Sequence, residues 1–253
     1  MKKDIDAIEK AFGLAAGSGP FIREWNDREF PPLSRRQRER ADIRFVELRA
    51  KKLHAGGGHG FDHSERVLKL ARKIAADEGK KGKKIDFLVL EAACLLHDVA
   101  RGLEESGECS CHAEKGAELA EKILRELNFP ADKIEQVKHC ILVHRYSRKR
   151  KAQTIEAKIL QDADRLDVLG AIAIARTIEF GARSGRPVHD PSKKPKKKYD
   201  GGSETAINHL KEKILAIKPG TFHTSLARKL ARRRYLFVEK FVEEFEAEWS
   251  GGK

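Results

Sequence analysis

The stretch EAACLLHDVARG, residues 91–102, places a histidine and an aspartate side by side after an apolar run. His97 and Asp98 follow the segment FLVLEAACLL, in which Glu91 is the one charged residue. A hydrogen-bonding or charged group in an apolar environment is costly unless it has a partner. The position of the pair therefore predicts a polar site at the inner end of a helix, with its partners elsewhere in the chain.

Apolar residues on both sides of this stretch are spaced as on one face of an α-helix. Val67, Leu70, Ala71 and Ile74 recur at i, i+3, i+4 and i+7, which is the helical period. Apolar residues have the same helical spacing in four later segments, namely 119–127, 134–142, 159–169 and 226–245. Because no run of several residues alternates between apolar and polar, the sequence predicts an all-α fold.

Proline and glycine divide the chain into four parts. They are dense in residues 13–33 and again in 181–203, and a long irregular segment inside a domain is usually functional or mobile. We expect an N-terminal helical extension over 1–50 and a core over 51–180. A mobile basic loop over 181–203 and C-terminal helices over 204–253, packing on the core, complete the expected order.

The charge of the chain favours anionic partners. Lysine and arginine number 52 against 39 acidic residues, which gives a net charge of +13. Such a balance suits nucleotides, phosphate esters or nucleic acid without choosing among them. Aromatic residues make up only 7% of the chain, and it contains no recognised nucleic-acid-binding motif. Nucleic-acid binding through the basic surface is therefore kept as an alternative.

Cysteine usage and hydropathy favour a cytoplasmic protein without a membrane partner. Four cysteines in so long a chain form no disulfide framework, and the CSCH segment at 109–112 lacks the four ligands of a closed zinc site. No apolar stretch approaches the roughly 20 residues that span a bilayer. The first ten residues, MKKDIDAIEK, lack the apolar region of a signal peptide.

Three predicted helices carry the residues that can bind a metal. His63 lies at the start of one helix, His97 and Asp98 lie on a second, and Asp164 lies on a third, in ILQDADRLDVLGA. Helices that pack together can each deliver a ligand to one point in their core. A shared cation would supply the missing partner of the pair, with Asp98 ionised and His97 neutral.

These residues, in this order, resemble the HD-domain superfamily of metal-dependent phosphohydrolases. The matching segments are GFDHSERV, LLHDVAR and QDADRLD, and the last resembles a bacterial and archaeal branch with the pattern DADRLDxxGAI followed by an arginine, here Arg176. The resemblance covers roughly residues 50–248. It implies a compact helical bundle with a C-terminal helical extension, and hydrolysis of a phosphate ester or anhydride, often of a nucleotide.

The resemblance also implies the ligands of one divalent metal, which are His63, His97, Asp98 and Asp164, with Asp162 as the alternative last ligand. Mixed imidazole and carboxylate ligation suits Mn, Fe, Co, Ni or Zn, with Mg as a further alternative. His112 and His144 lie between the doublet and the last aspartate. Either could bind a second metal or a substrate phosphate. The phosphate role is favoured because the adjacent histidine pair typical of dinuclear members is absent.

Catalysis and substrate binding require further residues. Asp98, Asp167 and Glu65 are the candidates that could assist the attacking water. The candidate substrate contacts are cationic or imidazole side chains, namely Arg66, Arg101, Arg165, His209, Lys213 and Arg234. Besides a phosphohydrolase, two alternatives stay open, a nucleic-acid-binding module and a metal-binding regulatory protein without turnover. A homo-oligomer is compatible with each of them.

Overall fold

The computed structural model describes residues 34–54 and 60–252. Within these ranges the regular backbone is helical and contains no β-strand, so the all-α prediction is confirmed. Most of the predicted N-terminal extension, and its irregular segment at 13–33, lie outside the described residues. Every helix within the described residues is too short or too polar to cross a bilayer.

The α-helices are numbered here in chain order. They are α1 (Arg35–His54), α2 (Phe61–Lys80), α3 (Phe87–Leu96), α4 (Arg101–Glu105), α5 (His112–Glu126), α6 (Ala131–Val143), α7 (Ile155–Asp167), α8 (Ala171–Arg183), α9 (Ala206–His209) and α10 (Ser225–Trp249). A π-helical turn, Leu210–Ile214, continues α9, and 3₁₀ turns occupy Tyr146–Arg148 and Pro219–Thr221.

The chain divides into two units, and the division passes through α2 and α6. The first unit comprises residues up to Glu65 and Asp86–Leu142, and the second comprises Arg66–Ile85 and Val143 onward. These units interleave along the sequence. The domain bounds expected from the sequence therefore stay a prediction.

Helix α3 is the centre of the first unit. Seven of its residues are buried, because its sequence is apolar around the whole helix, and α1 packs against it. Asp86 caps its N-terminus by accepting a hydrogen bond from the Val89 N–H at 3.1 Å, and Lys133 pairs with the same carboxylate. Helix α3 ends at Leu96, so His97 and Asp98 begin the turn that leads to α4.

In the second unit, α10 packs against α7 and α8. Buried side chains at Ala227, Ala231, Val238 and Val242 form the inner face of α10. Between α7 and α8 the chain turns at Gly170, whose φ of +86° is left-handed and whose missing Cβ leaves room for the Arg234 stem. A Cβ there would lie 3.1 Å from Arg234 Cγ.

The segment expected to be a mobile loop begins later than predicted. Helix α8 continues through Gly181 to Arg183, because Gly181 is buried and the Arg186 N–H donates to its carbonyl at 2.8 Å. Further along, the Ile207 N–H donates to Val188 O, and the Lys196 N–H donates to Glu212 at 2.8 Å. These contacts hold parts of the segment against its own unit, and its mobility stays a prediction.

Asp42 on α1 gives the first unit a dependence on pH. It lines a cavity of about 390 Å³, and burial, followed by the nearby Glu39, raises its pKa from 3.8 to about 6. Between about pH 4 and 6 the folded protein keeps a proton that the unfolded chain has lost, so stability falls as the pH rises through this window. We expect Asp42→Asn to have a higher Tm than the natural protein at neutral pH and nearly the same Tm below about pH 4. Thermal melts across this range measure the difference, and a difference that stays constant with pH would contradict the assignment.

Candidate metal centre

His97 and Asp98 lie where the apolar helix α3 ends. Their exposed fractions are 0% and 7%, so both polar groups are removed from bulk water. The Val99 N–H donates to Leu96 O, and the Arg101 N–H donates to Asp98 O, which closes the turn between α3 and α4. The rigid helix and this turn fix both side chains in the interior of the first unit.

A backbone contact fixes the tautomer of His97. Its Nδ1 lies 2.9 Å from Cys94 O, and because a carbonyl can only accept, Nδ1 must carry the proton. In neutral His97 the Nε2 atom is then unprotonated and carries a lone pair. It lies 3.3 Å from Nε2 of His63. A metal-ligating histidine is commonly held in this way, through its other ring nitrogen.

The donor atoms of His63, His97 and Asp98 fit a transition-metal ion. The two Nε2 atoms are 3.3 Å apart, and each lies 3.8 Å from Asp98 Oδ2. The point in their plane that is equidistant from the three atoms lies about 2.1 Å from each, which matches the metal bonds of about 2.0–2.2 Å made by histidine and carboxylate. His63 is also buried, with an exposed fraction of 5%.

His112 contacts the other oxygen of Asp98. Its Nε2 lies 3.2 Å from Asp98 Oδ1, and its Nδ1 pairs with the Glu104 carboxylate. Asp98 therefore directs one oxygen toward His63 and His97 and the other toward His112. This geometry suits a carboxylate that serves two neighbouring cations, or one cation and a protonated imidazole.

The sequence did not single out Glu104. It lies in the polar segment LEESGE, and its partner His112 is eight residues further along the chain. Helical spacing identifies neighbours three or four residues apart, whereas this contact joins two helices across a turn. No feature of the sequence marks Glu104 above the adjacent Glu105.

Glu65 and Arg101, two further candidate site residues of the first unit, form ion pairs near the protein surface. Glu65 pairs with Lys51 at 3.3 Å, and both side chains are 41% exposed. Arg101 pairs with Glu105 one helical turn later at 3.2 Å. Exposed ion pairs of this kind contribute little free energy, so each residue could exchange its partner for a substrate group. The roles of Glu65 in catalysis and Arg101 in substrate binding stay predictions.

Asp162, the alternative last ligand, is fully buried in the second unit and engages the segment before α10. One oxygen accepts the His223 N–H at 2.8 Å, and the other accepts the Thr224 N–H and hydroxyl, each at 2.8 Å. Burial raises the pKa of Asp162, although these donors act in the opposite direction. Both of its oxygens thus accept hydrogen bonds from the segment before α10, and the choice between Asp162 and Asp164 as the last ligand stays a prediction.

Asp167 and Arg66 form a buried ion pair. Arg66 donates to both oxygens of Asp167, at 2.8 and 3.0 Å, and Arg176 donates to one of them at 3.2 Å. Asp167 is fully buried, and such bidentate pairs are geometrically specific. The arginine that follows the DADRLDxxGAI pattern therefore has a partner within that pattern.

Arg165 and Arg234 are held by main-chain oxygens of the second unit. The Arg165 guanidinium lies between the rings of Tyr146 and Phe222, at 3.7 and 4.2 Å from their centroids, and donates to Thr221 O at 3.0 Å. Arg234 donates to Leu166 O. Burial lowers the pKa of each arginine.

His209 and Lys213 lie beside Tyr199. The His209 ring is edge-on to Tyr199, with centroids 5.5 Å apart, and Lys213 Nζ lies 5.4 Å from the Tyr199 centroid. Burial lowers the pKa of His209 to about 4, aided by the positive charges of Lys213 and Arg186. His209 is consequently neutral at physiological pH.

Asp164 and His144 belong to the second unit. Asp164 is half-buried on α7, and His144 is buried directly after α6. Both engage in further interactions. Their assignment as metal or phosphate contacts stays a prediction. The four cysteines are free thiols, and three of them are buried.

Comparison with known proteins identifies the family. The family model described as HD domain matches residues 60–169. An HD-superfamily hydrolase from Bacillus thuringiensis is 32% identical over 84% of this chain and 98% of that chain, with a TM-score of 0.65. A protein of known structure from Lactobacillus plantarum is 30% identical over 83% of this chain and 98% of that chain, with a TM-score of 0.67.

A further relative is the uncharacterized protein YpgQ of Bacillus subtilis. It is 28% identical over 203 residues, which span 77% of this chain and 86% of YpgQ. The structure of YpgQ in complex with ADP covers 83% of this chain and 96% of that chain, at 25% identity and a TM-score of 0.64. The buried histidine–aspartate doublet, the helical fold and these matches agree, and the chain belongs to the HD-domain superfamily of metal-dependent phosphohydrolases.

Proposed function

We propose that this protein hydrolyses a phosphate ester or anhydride of a nucleotide in a metal-dependent reaction. The observation that carries the proposal is the buried triangle of donor atoms from His63, His97 and Asp98, whose sides of 3.3, 3.8 and 3.8 Å suit one divalent ion. Asp164 is proposed as the further ligand, because it occupies the matching position of the superfamily pattern and Asp162 is engaged elsewhere. The structure of YpgQ with ADP supports a nucleotide as the substrate class.

The metal and the residues of the chain have separate tasks in this reaction. A divalent ion, when bound, would lower the pKa of a coordinated water molecule and polarise a phosphoryl oxygen of the substrate. His97, fixed by Cys94 O, keeps an unprotonated Nε2 toward the ion. Asp98 supplies the negative charge that offsets the ion in a buried site. Imidazole ligands favour Mn, Fe, Co, Ni or Zn over Mg, which prefers oxygen ligands.

The structural contacts rank the proposed substrate-binding residues. Charge on the phosphate oxygens requires cationic neighbours in the transition state. Arg165 and Arg234 donate to main-chain oxygens, so we assign their larger contribution to folding. Arg101 makes an exposed pair with Glu105, which a phosphate can displace at little cost. We therefore propose Arg101 as the first of these residues to test, with Arg66, His209 and Lys213 after it.

A substrate screen tests the proposed function directly. Nucleoside mono-, di- and triphosphates and cyclic dinucleotides are incubated with the protein and, in separate reactions, with each of the candidate metals. We expect release of phosphate, pyrophosphate or a nucleotide product that stops on chelation and returns with metal. A protein that binds metal but releases no product from any of these compounds would instead be a regulatory member without turnover.

The lysine run at 193–198 is expected to attract anions without taking part in the chemical step. Lys194, Lys197 and Lys198 are exposed, whereas Lys196 pairs with Asp200 at 2.8 Å. Changing all five lysines to glutamine should lower kcat/KM at low salt and matter less at high salt, because the Debye length falls to about 8 Å at physiological ionic strength. Turnover at saturating substrate should stay nearly unchanged, and kinetics over a salt series measure both quantities.

The second lysine run, at 80–84, provides the control. Its four lysines carry a similar charge and can be changed to glutamine in the same way. An equal effect from both variants would assign the attraction to the net charge of the protein. A large fall in kcat at every salt concentration in the 193–198 variant would show that this run closes over the substrate during catalysis.

A further inference from the structure

Glu104 and His112 are joined across the turn between α4 and α5. Helix α4 packs against α5, and the Cys109 N–H donates to Leu103 O at 3.1 Å, which closes the segment between them. His112 is the first residue of α5, and its side chain is 1% exposed. The Glu104 side chain is 22% exposed. The pair thus connects the buried centre with the surface of the first unit.

The contact with Glu104 decides which nitrogen of His112 faces Asp98. A carboxylate accepts, so the Nδ1 that pairs with Glu104 Oε2 carries the proton. Nε2 then lies 3.2 Å from Asp98 Oδ1. In a neutral imidazole of this tautomer, Nε2 has a lone pair directed at another acceptor, so the contact is favourable when either a proton on Nε2 or a metal ion lies between the two atoms.

We propose that Glu104 is a positioning residue, which holds His112 in the Nδ1–H tautomer so that His112 Nε2 and Asp98 Oδ1 together receive a cationic group. This inference rests on the proposed metal-dependent function and adds a residue that the sequence pattern does not include. The same logic applies to His97, whose Nδ1 is held by Cys94 O. A carboxylate in place of a carbonyl makes the imidazole more basic and the orientation stronger.

The adjacent Glu105 supplies a matched control. It lies on the same helix, carries the same side chain, and pairs with the exposed Arg101 at 3.2 Å. Loss of Glu105 removes one negative charge from α4 and leaves the contact of His112 unchanged. Any effect that is shared by Glu104→Ala and Glu105→Ala therefore reports on charge or helix stability, and only the difference reports on His112.

Metal affinity and a mutant cycle form the first test. Equilibrium dialysis with Mn²⁺ and, separately, Zn²⁺ measures binding by the natural protein and by Glu104→Ala, Glu104→Gln, Glu105→Ala, His112→Ala and the Glu104→Ala/His112→Ala double variant. We expect Glu104→Ala to weaken binding by about 10- to 100-fold, and Glu104→Gln by less because its amide oxygen still accepts. In the His112→Ala background, Glu104→Ala should have no further effect. Additive losses, or equal losses for Glu104→Ala and Glu105→Ala, would overturn the proposal.

The tautomer itself is the second readout and needs neither substrate nor metal. Ring nitrogen chemical shifts of His112 in the metal-free protein distinguish a protonated from an unprotonated Nδ1. We expect a protonated Nδ1 in the natural protein, and in Glu104→Ala an increase in the form that carries its proton on Nε2 and donates to Asp98. An unchanged Nδ1 signal in Glu104→Ala would contradict the assignment. Because both readouts are independent of turnover, a protein that hydrolyses nothing in the substrate screen would refute the proposed function and leave this test intact.

Discussion

Asp98→Ala should abolish metal binding and lower turnover by about 10³-fold or more, since removal of a metal-bound carboxylate forfeits several kcal/mol of transition-state stabilisation. The physical reason is the position of Asp98 among three imidazoles. His63 and His97 lie 3.8 Å from one oxygen, and His112 lies 3.2 Å from the other. Without this carboxylate, a dication in the buried site would lose the negative charge that offsets it. Metal content of the purified protein, measured by atomic emission, and initial rates with added metal check the prediction.

Asp98→Asn separates charge from shape. It keeps the size of the side chain and one oxygen but removes the negative charge, so we expect nearly the same loss of metal as in Asp98→Ala. Melting curves in the presence of a chelator compare all three proteins without metal and reveal any folding defect. Unchanged metal content together with unchanged turnover in Asp98→Ala would exclude the proposed centre.

Asp162→Ala and Asp164→Ala should have opposite effects on stability and metal content, although the two residues are separated by one position in the sequence. Asp162 accepts three hydrogen bonds from His223 and Thr224, so its loss leaves two main-chain N–H groups without their acceptor. An unsatisfied buried group costs about 1–3 kcal/mol, and we expect Asp162→Ala to lose roughly 3 kcal/mol or more of unfolding free energy. Its metal content should remain close to that of the natural protein.

Asp164→Ala is the reciprocal variant. We expect it to lose bound metal and to lower turnover by at least about 10²-fold, while its unfolding free energy in the presence of a chelator changes little. Urea denaturation and metal analysis of both variants, prepared in parallel, make each the control for the other. The reverse pattern would identify Asp162 as the ligand and Asp164 as the structural residue.

The sequence predicted the helical fold through local patterns, and the same patterns drew attention to the histidine–aspartate doublet. Apolar spacing at Val67, Leu70 and Ile74 reports a helix directly, because a buried helical face must repeat with the helical period. The doublet His97–Asp98 was conspicuous for the same reason, since it interrupts an apolar run. In the structure the doublet lies beside His63, with the two Nε2 atoms 3.3 Å apart and Asp98 Oδ2 3.8 Å from His63 Nε2, and the role of these residues as metal ligands stays a prediction.

Contacts between residues distant in the sequence could not be predicted in this way. Arg66 and Asp167 are separated by 101 positions, and only the packed second unit shows that they bind one another. Their place beside the motifs predicts a role in catalysis for Asp167 and in substrate binding for Arg66. Their bidentate pairing gives each a structural role, and their roles in catalysis and substrate binding stay predictions. The sequence marks Gly181 as the first residue of a loop, whereas in the structure α8 continues to Arg183 and Gly181 is buried within it.

The buried pairing of Asp162 with the segment before α10 also bears on how this chain can change by mutation. A copy that had lost its catalytic activity would no longer be constrained at His63 or Asp98, yet it would still need Asp162 to keep its second unit folded. Asp162 of the motif DADRLD would therefore persist through neutral drift long after the reaction had disappeared. Among descendants of such a chain, Asp162 would record only that the protein still folds, whereas the histidines and Asp98 of the proposed centre would be free to vary.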